Sequence, residues 1–352
     1  MPAPALQIGV LTPLTQPGWT SAGRSLLAGM ELAVRDVDSS GGIAGRPLEL
    51  QVRDTAADPP RASAAVDELA ALGVAALAGE YHSVVARAVA ARADALEVPF
   101  LCSSAVLDDL TSAPTDWVAR LAPPQSRGWR LYADYLLGEG HTRIAVTTQP
   151  SVYWLTGTRI LQEHFAAHGG TVIELDASDP LVLCDALASS HATALLLLVG
   201  HPEPAVPIVK AIRGDQRLAN LVLGAPAGQP EFADWAALLG ESGTAVPFLR
   251  YLPEHLTPLG SRVLDRLPEA SSFVAYEGYD TIAVLADVLR SHGPDRTRIA
   301  AAWPTVAVDG TRGKIHFTRV PGINVWQWPT PPIQIADRDP ASLNHFRTLH
   351  TS

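Results

Sequence analysis

Short apolar runs alternate with amphipathic segments along the first 120 residues of the chain. Leu6–Thr12 is predicted to be a buried strand, and Ser21–Ser39 carries apolar residues at helical spacing before a pair of glycines. The alternation of strands and helices continues at Leu48–Asp54, Pro59–Leu72, Val74–Ala78, Ser83–Leu96 and Val98–Cys102. Strict alternation of this kind predicts parallel strand pairing with right-handed crossovers.

A second series of the same type follows the punctuated segment Arg120–Pro124. Its predicted helices and strands are Gly128–Leu137, His141–Thr148, Thr158–His168, Thr171–Leu175, Ala192–Val199, Ala205–Arg213 and Asn220–Gly224. Ala245–Pro253 is expected to lead the chain back to the first lobe, where Glu254–Leu267 and Tyr276–Ser291 are predicted helices. Gly313–Ile335 alternates apolar and polar residues, which indicates antiparallel strands or a third crossing.

The pattern therefore predicts an α/β fold of two doubly wound parallel-sheet lobes joined by a multi-strand hinge. Lobe 1 is expected to comprise residues 1–120 plus 253–320, and lobe 2 residues 121–252 plus 321–352. Ligands of open parallel sheets bind outside the carboxyl ends of the strands. A ligand site is therefore expected in a cleft between the two sets of strand ends.

Composition narrows the classes of protein that this chain could represent. Its 352 residues are 47% hydrophobic, which suits two ordinary cores, and no apolar run is long enough to span a membrane. Because 36 acidic residues outnumber 26 basic ones, giving a net charge of -10, nucleic-acid binding is not expected. Cys102 and Cys184 are predicted to be buried free thiols. Met1–Gln7 resembles no secretion signal, so the protein is cytoplasmic as written, or a leader has been removed.

Motifs for catalysis and for cofactors are missing from the sequence. No phosphate-binding loop, dinucleotide-binding glycine pattern or serine-hydrolase elbow occurs, so neither enzyme activity nor a cofactor is predicted. His164 and His168 share one helical face at a spacing that zinc can use. No third ligand is evident near them in the sequence, and no metal site is predicted.

The segment SGGIAGRPLELQVRDTAADPPRA at Ser40–Ala62 resembles the GGI-x-G…D…DP-x-x-A block of type I solute-binding proteins. This family includes branched-chain amino acid-binding proteins of transport systems and the amide-sensing regulator of aliphatic amidase expression. Other segments agree with the family in the same order along nearly the whole chain: IGVLTPLT, GEYHS, ARADALEVPF, AAHGGTV, YEGYDTIAVLADVL and VDGTRGKIHF.

The resemblance implies a periplasmic binding protein-like molecule whose lobes close on a small organic ligand. That ligand would be an amino acid, an amide or a related carboxylate, presented to the permease of an ABC transporter. The alternative is a cytoplasmic sensor of the amide-sensing type that signals to a regulatory protein. An enzyme on the same scaffold is the least expected reading.

The resemblance also implies binding residues in lobe 1. Ser83 matches a serine that holds the ligand carboxylate, and its place at a predicted helix start favours an anionic oxygen, although it could also be a plain N-cap. Tyr81 matches a tyrosine of the amide-sensing branch, whereas His82 is expected to point away. The backbone carbonyl of Ser104 is an expected acceptor, and Val106 stands where the family has a threonine.

Further candidates are aromatic residues and a histidine. Either Tyr153 or Trp154 is expected to pack on the ligand from lobe 2, and His201 follows a predicted strand. Tyr276 could cover the ligand, and Trp19 is another aromatic candidate.

The family's ammonium-binding glutamate has no counterpart in Gly224–Gly228. Either Glu277, Asp280 or Glu80 replaces it, or the ligand lacks a free ammonium group, because an unpaired buried ammonium is costly.

Overall fold

The computed structural model describes residues 4–176, 178–267 and 272–351. Its strands are β1 (Leu6–Thr12), β2 (Leu48–Asp54), β3 (Ala76–Gly79), β4 (Phe100–Cys102), β5 (Val118–Arg120), β6 (Arg143–Thr148), β7 (Thr171–Leu175), β8 (Ala194–Leu198), β9 (Val222–Gly224), β10 (Phe248–Arg250), β11 (Val308–Asp309), β12 (Lys314–Ile315), β13 (Thr318–Arg319), β14 (Trp326–Gln327), β15 (Gln334–Asp339) and β16 (Ser342–Thr351). Its α-helices are α1 (Thr20–Ser39), α2 (Pro59–Ala71), α3 (Ser83–Ala95), α4 (Gln125–Gly138), α5 (Val152–Ala167), α6 (Pro180–Ser190), α7 (Ala205–Gly214), α8 (Ala233–Leu239), α9 (Pro258–Leu264), α10 (Val274–His292) and α11 (Arg296–Ala302).

The chain divides into two compact units, each built from two separate stretches of sequence. Unit 1 comprises Met1–Pro124 and His255–Pro332, and unit 2 comprises Gln125–Glu254 and Ile333–Ser352. The chain therefore passes between the units three times. The boundaries expected from the sequence, after residues 120, 252 and 320, precede each of these passages.

Unit 1 contains a seven-stranded sheet in the order β13-β14-β5-β4-β3-β1-β2. All neighbours pair in parallel except β13 and β14, which are antiparallel. A core cluster built on α2, α3 and the central strands includes Leu69, Val89 and Phe100, all fully buried. Helices α1 and α10 pack together elsewhere in the unit. The α/β class predicted from the sequence is confirmed.

Unit 2 contains a parallel sheet in the order β7-β6-β8-β9 and a separate antiparallel sheet in the order β10-β15-β16. The apolar strand β8 is buried along its whole length and pairs with β6 and β9. Its core cluster combines this strand with residues of α6, α7 and α8. The apolar run Ala192–Val199 thus forms the central strand that its pattern predicts.

Several elements differ from the sequence-based prediction. Helix α5 begins six residues before the predicted start at Thr158, because the Ser151 side chain accepts hydrogen bonds from the first-turn backbone and caps the helix. Helix α9 begins only after Thr257, which caps it in the same way. Strand β5, helices α6, α8 and α11, and strand β16 were not predicted. The tail supplies short strands β12, β13 and β14 in unit 1 before the chain enters unit 2.

Helix α1 and helix α10 approach each other closely at glycines. A Cβ atom added to Gly29 would lie 1.8 Å from the carbonyl oxygen of Ala275, and one added to Gly278 would lie 2.1 Å from that of Leu26. These two glycines therefore allow backbone-to-backbone contact between the helices.

Among the described residues, no helix combines the length and the apolar character needed to cross a membrane. Cys102 and Cys184 are both buried and free, as predicted. Burial raises the pKa of the Cys102 thiol to about 12, so the thiol is neutral at physiological pH.

Candidate functional site

The loops after β3 and β4 meet at the carboxyl end of the unit 1 sheet. Ser83, the first residue of α3, accepts a hydrogen bond at its Oγ from the backbone N–H of Val106, at 3.0 Å. The N-cap position belongs to His82, which makes no side-chain capping bond, so the interpretation of Ser83 as a plain N-cap is wrong. The hydroxyl instead ties together two loops that both carry predicted ligand-binding residues.

Glu80 is fully buried at the start of the loop after β3 and holds that loop in place. Its Oε1 accepts hydrogen bonds from the backbone N–H groups of Tyr81 and His82, at 2.9 and 3.0 Å, and its Oε2 accepts one from the Thr55 hydroxyl, at 2.8 Å. Burial raises the pKa of this carboxyl group to about 7, although these three donors lower it. All three donors face the carboxylate, so Glu80 has a structural task within unit 1.

Three aromatic rings form a cluster beside Glu80. The ring centroids of Trp19 and Tyr81 are 5.8 Å apart, and the His82 ring meets both of them edge-on, at 6.1 and 5.5 Å. His82 does not point away as expected, because its Nε2 accepts a hydrogen bond from the backbone N–H of Trp19, at 3.0 Å. Burial lowers the pKa of His82 to about 4, and the neutral imidazole suits this acceptor role.

Glu277 and Asp280, on adjacent turns of α10, share the buried guanidinium group of Arg312. Arg312 Nε lies 3.0 Å from Asp280 Oδ2, and Arg312 Nη1 lies 3.3 Å from Glu277 Oε1. The backbone N–H of Thr311 also donates to Asp280. Burial raises the pKa of Glu277 to about 7 and raises that of Asp280, while the Arg312 charge lowers both; the hydroxyl of Ser104 also lowers that of Glu277. The structure thus brings predicted residues Ser104 and Glu277 together.

Tyr276 is also buried, in the first turn of α10 immediately before Glu277.

Tyr153 and Trp154 lie in the first turn of α5 in unit 2. The Ser151 hydroxyl accepts hydrogen bonds from both of their backbone N–H groups, at 3.1 and 3.3 Å. Their rings are 4.7 Å apart, and both contact the fully buried ring of Trp129. Tyr153 keeps part of its surface accessible, whereas Trp154 is 8% exposed. The expected contact of one of these two rings with a ligand stays a prediction.

His201 lies after β8 with its side chain directed into unit 2. Its Nε2 is 3.3 Å from Asp234 Oδ2, and its ring centroid is 5.6 Å from that of Trp235. The side chain is only 3% exposed. His201 is therefore engaged with residues of α8.

The loop after β9 is held by buried polar side chains. Gln229 donates to the backbone carbonyl groups of Leu197 and Val199 at the end of β8. Arg338, on β15, donates to three successive backbone carbonyl groups, those of residues 230–232. The nearest acid along the chain, Glu231, is paired with Arg250 at 2.9 Å.

Sequence reasoning missed three contributors to these arrangements. Arg312 and Arg338 lie just outside the two ends of the alternating segment Gly313–Ile335, and both are buried although arginine is ordinarily exposed. The expectation that His164 and His168 lack a third ligand is wrong, because Asp134 of α4 lies beside them. Asp134 is thirty residues from His164, so only the packing of α4 against α5 could have revealed it.

Comparisons with known proteins agree with this architecture. The sequence profile described as "Periplasmic binding protein" matches residues 5–325 of the chain. The structure superimposes on a leucine binding protein from Thermotoga maritima with a TM-score of 0.84, at 19% identity over 99% of this chain and 98% of that one. It superimposes on a solute binding protein of an ABC transporter from R. palustris, in complex with 4-hydroxybenzoate, with a TM-score of 0.82, at 18% identity over 99% and 97% of the two chains. A branched-chain amino acid transporter substrate binding protein from Streptococcus pneumoniae, in complex with isoleucine, gives a TM-score of 0.79, at 16% identity over 99% and 100%.

Proposed function

Because the chain belongs to the periplasmic binding protein family, as its sequence motifs indicated, we propose that it captures a small organic carboxylate or amide and presents it to an ABC transporter. Capture occurs by closure of the two units on the ligand, and no bond of the ligand is made or broken. Ligand contacts shift a population of open molecules toward the closed form, which the transporter recognises.

The observation that carries this proposal is the junction of the loops after β3 and β4 in unit 1. The hydrogen bond from Val106 N–H to Ser83 Oγ fixes both loops at the carboxyl end of a parallel sheet and at the start of α3. This is where open α/β sheets bind ligands, and the first turn of a helix offers backbone N–H groups to a carboxylate or carbonyl oxygen. The Trp19–Tyr81–His82 cluster supplies aromatic surface nearby.

We propose further that the ligand carries no free ammonium group. Glu80 is fully buried and bonded to Thr55 and two backbone N–H groups, and Asp280 is fully buried and paired with Arg312. Glu277 is paired with Arg312 through Oε1, and its Oε2 carries no hydrogen bond from the described residues. Releasing Glu80 or Asp280 to a ligand would leave a hydrogen-bond donor unpaired, which is costly, and an ammonium group at Glu277 would lie beside the positive charge of Arg312. The residues of the β9 loop at 224–228 include no acid.

The relatives support a family able to take either kind of ligand. One neighbour is described as a leucine binding protein and another is in complex with isoleucine, whereas a third is in complex with 4-hydroxybenzoate. The pairing of Glu80, Glu277 and Asp280 within unit 1 favours a ligand without an ammonium group, as 4-hydroxybenzoate is. The aromatic rings in both units favour an aromatic acid or amide.

Matched pairs of compounds test this assignment, because the members of each pair differ only in the ammonium group. Leucine is compared with 4-methylpentanoate, and phenylalanine with 3-phenylpropionate, by thermal shift and calorimetry; benzoate is compared with benzamide to separate carboxylate from amide. The compounds without ammonium are expected to bind at least about tenfold more tightly than their amino acid partners. Tighter binding of the amino acids would contradict the absence of an ammonium partner.

Two further outcomes bear on the wider proposal. Recovery of each bound compound unchanged after prolonged incubation is expected, and turnover would identify an enzyme instead. If a compound binds but no transporter permease responds to the loaded protein, the cytoplasmic sensor becomes the better account of the same ligand capture.

A further inference from the structure

A group of metal-ligating side chains lies on the surface of unit 2, separate from the candidate ligand-binding residues. Asp134 comes from the second half of α4, His164 from the last turn of α5, and His168 from the C-cap position immediately after α5. One ligand atom from each of these three residues lies within 4.8 Å of the other two. Helices α4 and α5 pack against each other, which brings the aspartate to the histidine pair.

The two histidines are neighbours on one helix face. They are four residues apart, and their ring centroids lie 4.4 Å from each other at an interplanar angle of 36°. This places two imidazole rings side by side, which is how histidines at this spacing share one metal ion.

The hydrogen bonds of His168 leave a metal-binding nitrogen available. Its Nδ1 lies 2.8 Å from the backbone carbonyl oxygen of His164. A carbonyl oxygen can only accept, so Nδ1 carries the proton and Nε2 carries the lone pair. Metal-ligating histidines are commonly oriented in this way by a backbone carbonyl on the other ring nitrogen.

The other two ligands of the candidate metal site, His164 and Asp134, are already in contact with each other. His164 Nε2 is 2.5 Å from Asp134 Oδ1, a distance at which a proton bridges nitrogen and carboxylate. A divalent cation binding here replaces that proton, and both atoms become ligands to the metal. A tetrahedral ion with ligands at about 2.1 Å needs ligand atoms roughly 3.4 Å apart. Rotation of the largely exposed Asp134 and His168 side chains supplies that adjustment.

We propose that Asp134, His164 and His168 bind a divalent first-row transition metal ion such as Zn²⁺. Two imidazole nitrogens and one carboxylate oxygen are a donor set that suits Zn²⁺, Ni²⁺ and Cu²⁺, whereas Ca²⁺ and Mg²⁺ prefer oxygen donors alone. Because Asp134 and His168 are exposed, water fills the remaining coordination positions. The metal joins α4 to the end of α5 and stabilises unit 2.

The experiment uses the full chain without an affinity tag, freed of metal with a chelator, and Zn²⁺ alone as the probe. Calorimetry is expected to show one equivalent of Zn²⁺ bound at a site that Mg²⁺ does not compete for. His164→Gln, His168→Gln and Asp134→Asn are each expected to weaken binding about tenfold or more. His345→Gln, which changes an exposed histidine of the same unit, is the matched control and is expected to bind as the unmodified chain does.

A second measurement keeps the proposal testable if a variant changes stability. Zn²⁺ is expected to raise the melting temperature of the unmodified chain and of His345→Gln, but not that of the other three variants, each compared with its own metal-free sample. Absence of Zn²⁺ binding to the unmodified chain would overturn the site. Binding that survives unchanged in all three variants would overturn it as well.

Discussion

At the scale of single residues, the fully buried carboxylates of unit 1 have structural roles, which distinguishes them from acids that could bind a ligand. Glu80 accepts three hydrogen bonds, one from the buried Thr55 hydroxyl and two from the backbone N–H groups of Tyr81 and His82. A carboxylate in this position orders the backbone before Ser83. Its charge is nevertheless unfavourable in a buried environment, which is why its pKa is raised to about 7.

We expect Glu80→Gln to change how stability depends on pH. Between the ordinary pKa of 4.5 and about 7, the folded protein keeps a proton on Glu80 that the unfolded chain has lost. The free energy of unfolding therefore falls as pH rises through that window. Glutamine keeps an acceptor for the two backbone N–H groups and has no charge. As pH rises from 4.5 to 8, the free energy of unfolding of the variant should therefore increase by up to roughly 3 kcal/mol relative to that of the unmodified chain.

Urea unfolding at a series of pH values measures this difference. Glu31→Gln, on the exposed face of α1, serves as the control and should follow the unmodified chain at every pH. The free energy of unfolding of Glu80→Gln should still fall to some extent as pH rises, because Glu277 has a similarly raised pKa. If Glu80→Gln and the unmodified chain show parallel pH profiles, Glu80 is ionised in the native state throughout the range.

Residue roles could be predicted from the sequence only where a pattern places the residue locally. The start of α3 at Ser83 and the stop of β4 at Cys102 follow from periodicity, so both loops could be placed at the sheet edge. The bond from Val106 N–H to Ser83 could not be predicted, because it joins residues 23 positions apart. The pairing of Glu277 with Arg312 depends in the same way on folded contacts.

At the scale of elements, the packing of α1 on α10 depends on glycines. Gly29 and Gly278 each face a backbone carbonyl group of the partner helix at a distance that leaves no space for a side chain. The glycines allow the helices to pack closely there, although glycine has a lower helix propensity than alanine.

Gly29→Ala is expected to destabilise unit 1 by about 3 kcal/mol or more. Its Cβ would overlap the Ala275 carbonyl, and since a backbone atom cannot rotate away, the helices must separate. The gain in helix propensity, about 1 kcal/mol, does not compensate. Gly138→Ala at the end of α4 is the matched control, because nothing lies within 4 Å of the added Cβ. Thermal and urea unfolding compare the two variants, and equal stabilities would contradict the close packing.

Helices and strands with a strong hydrophobic period were predicted well from the sequence, whereas very short strands and a buried charged residue were not. Strands β1 and β2 match their predicted bounds, because seven residues of apolar character or alternation carry enough signal. The two-residue strands of the tail are too short to show a period, and the insertion of β14 beside β5 joins residues about 200 positions apart. Arg338 was missed because three backbone carbonyl groups, invisible in the sequence, compensate for its burial.

At the scale of the whole molecule, the three passages of the chain give each unit residues from two distant stretches of sequence. The candidate residues are divided in the same manner. Ser83, Ser104 and the Trp19 cluster belong to unit 1, whereas Tyr153 and Trp154 belong to unit 2. A ligand held by both sets would link the stability of both units to its concentration.

If one ligand contacts both units, a substitution of a contact residue in either unit should weaken its binding. Ser83→Ala removes a hydroxyl of unit 1, and Tyr153→Leu removes a ring of unit 2. For the compound that raises the melting temperature most in the paired screen, each variant is expected to lose about 1 kcal/mol of binding free energy, roughly fivefold in affinity. Ser83→Ala should also lower the free energy of unfolding by about 1–2 kcal/mol, because the buried Val106 N–H loses its acceptor.

Calorimetry on both variants distinguishes capture by two units from binding to one. Ser189→Ala removes an exposed hydroxyl of α6 that donates to the backbone carbonyl group of Asp185, and Tyr135→Leu removes a half-buried ring of α4. Both controls should bind as the unmodified chain does. A loss confined to Ser83→Ala would place the whole ligand on unit 1, and a loss confined to Tyr153→Leu would place it on unit 2. Capture by closure requires losses in both variants, because the closed state is favoured only by contacts that the open state lacks.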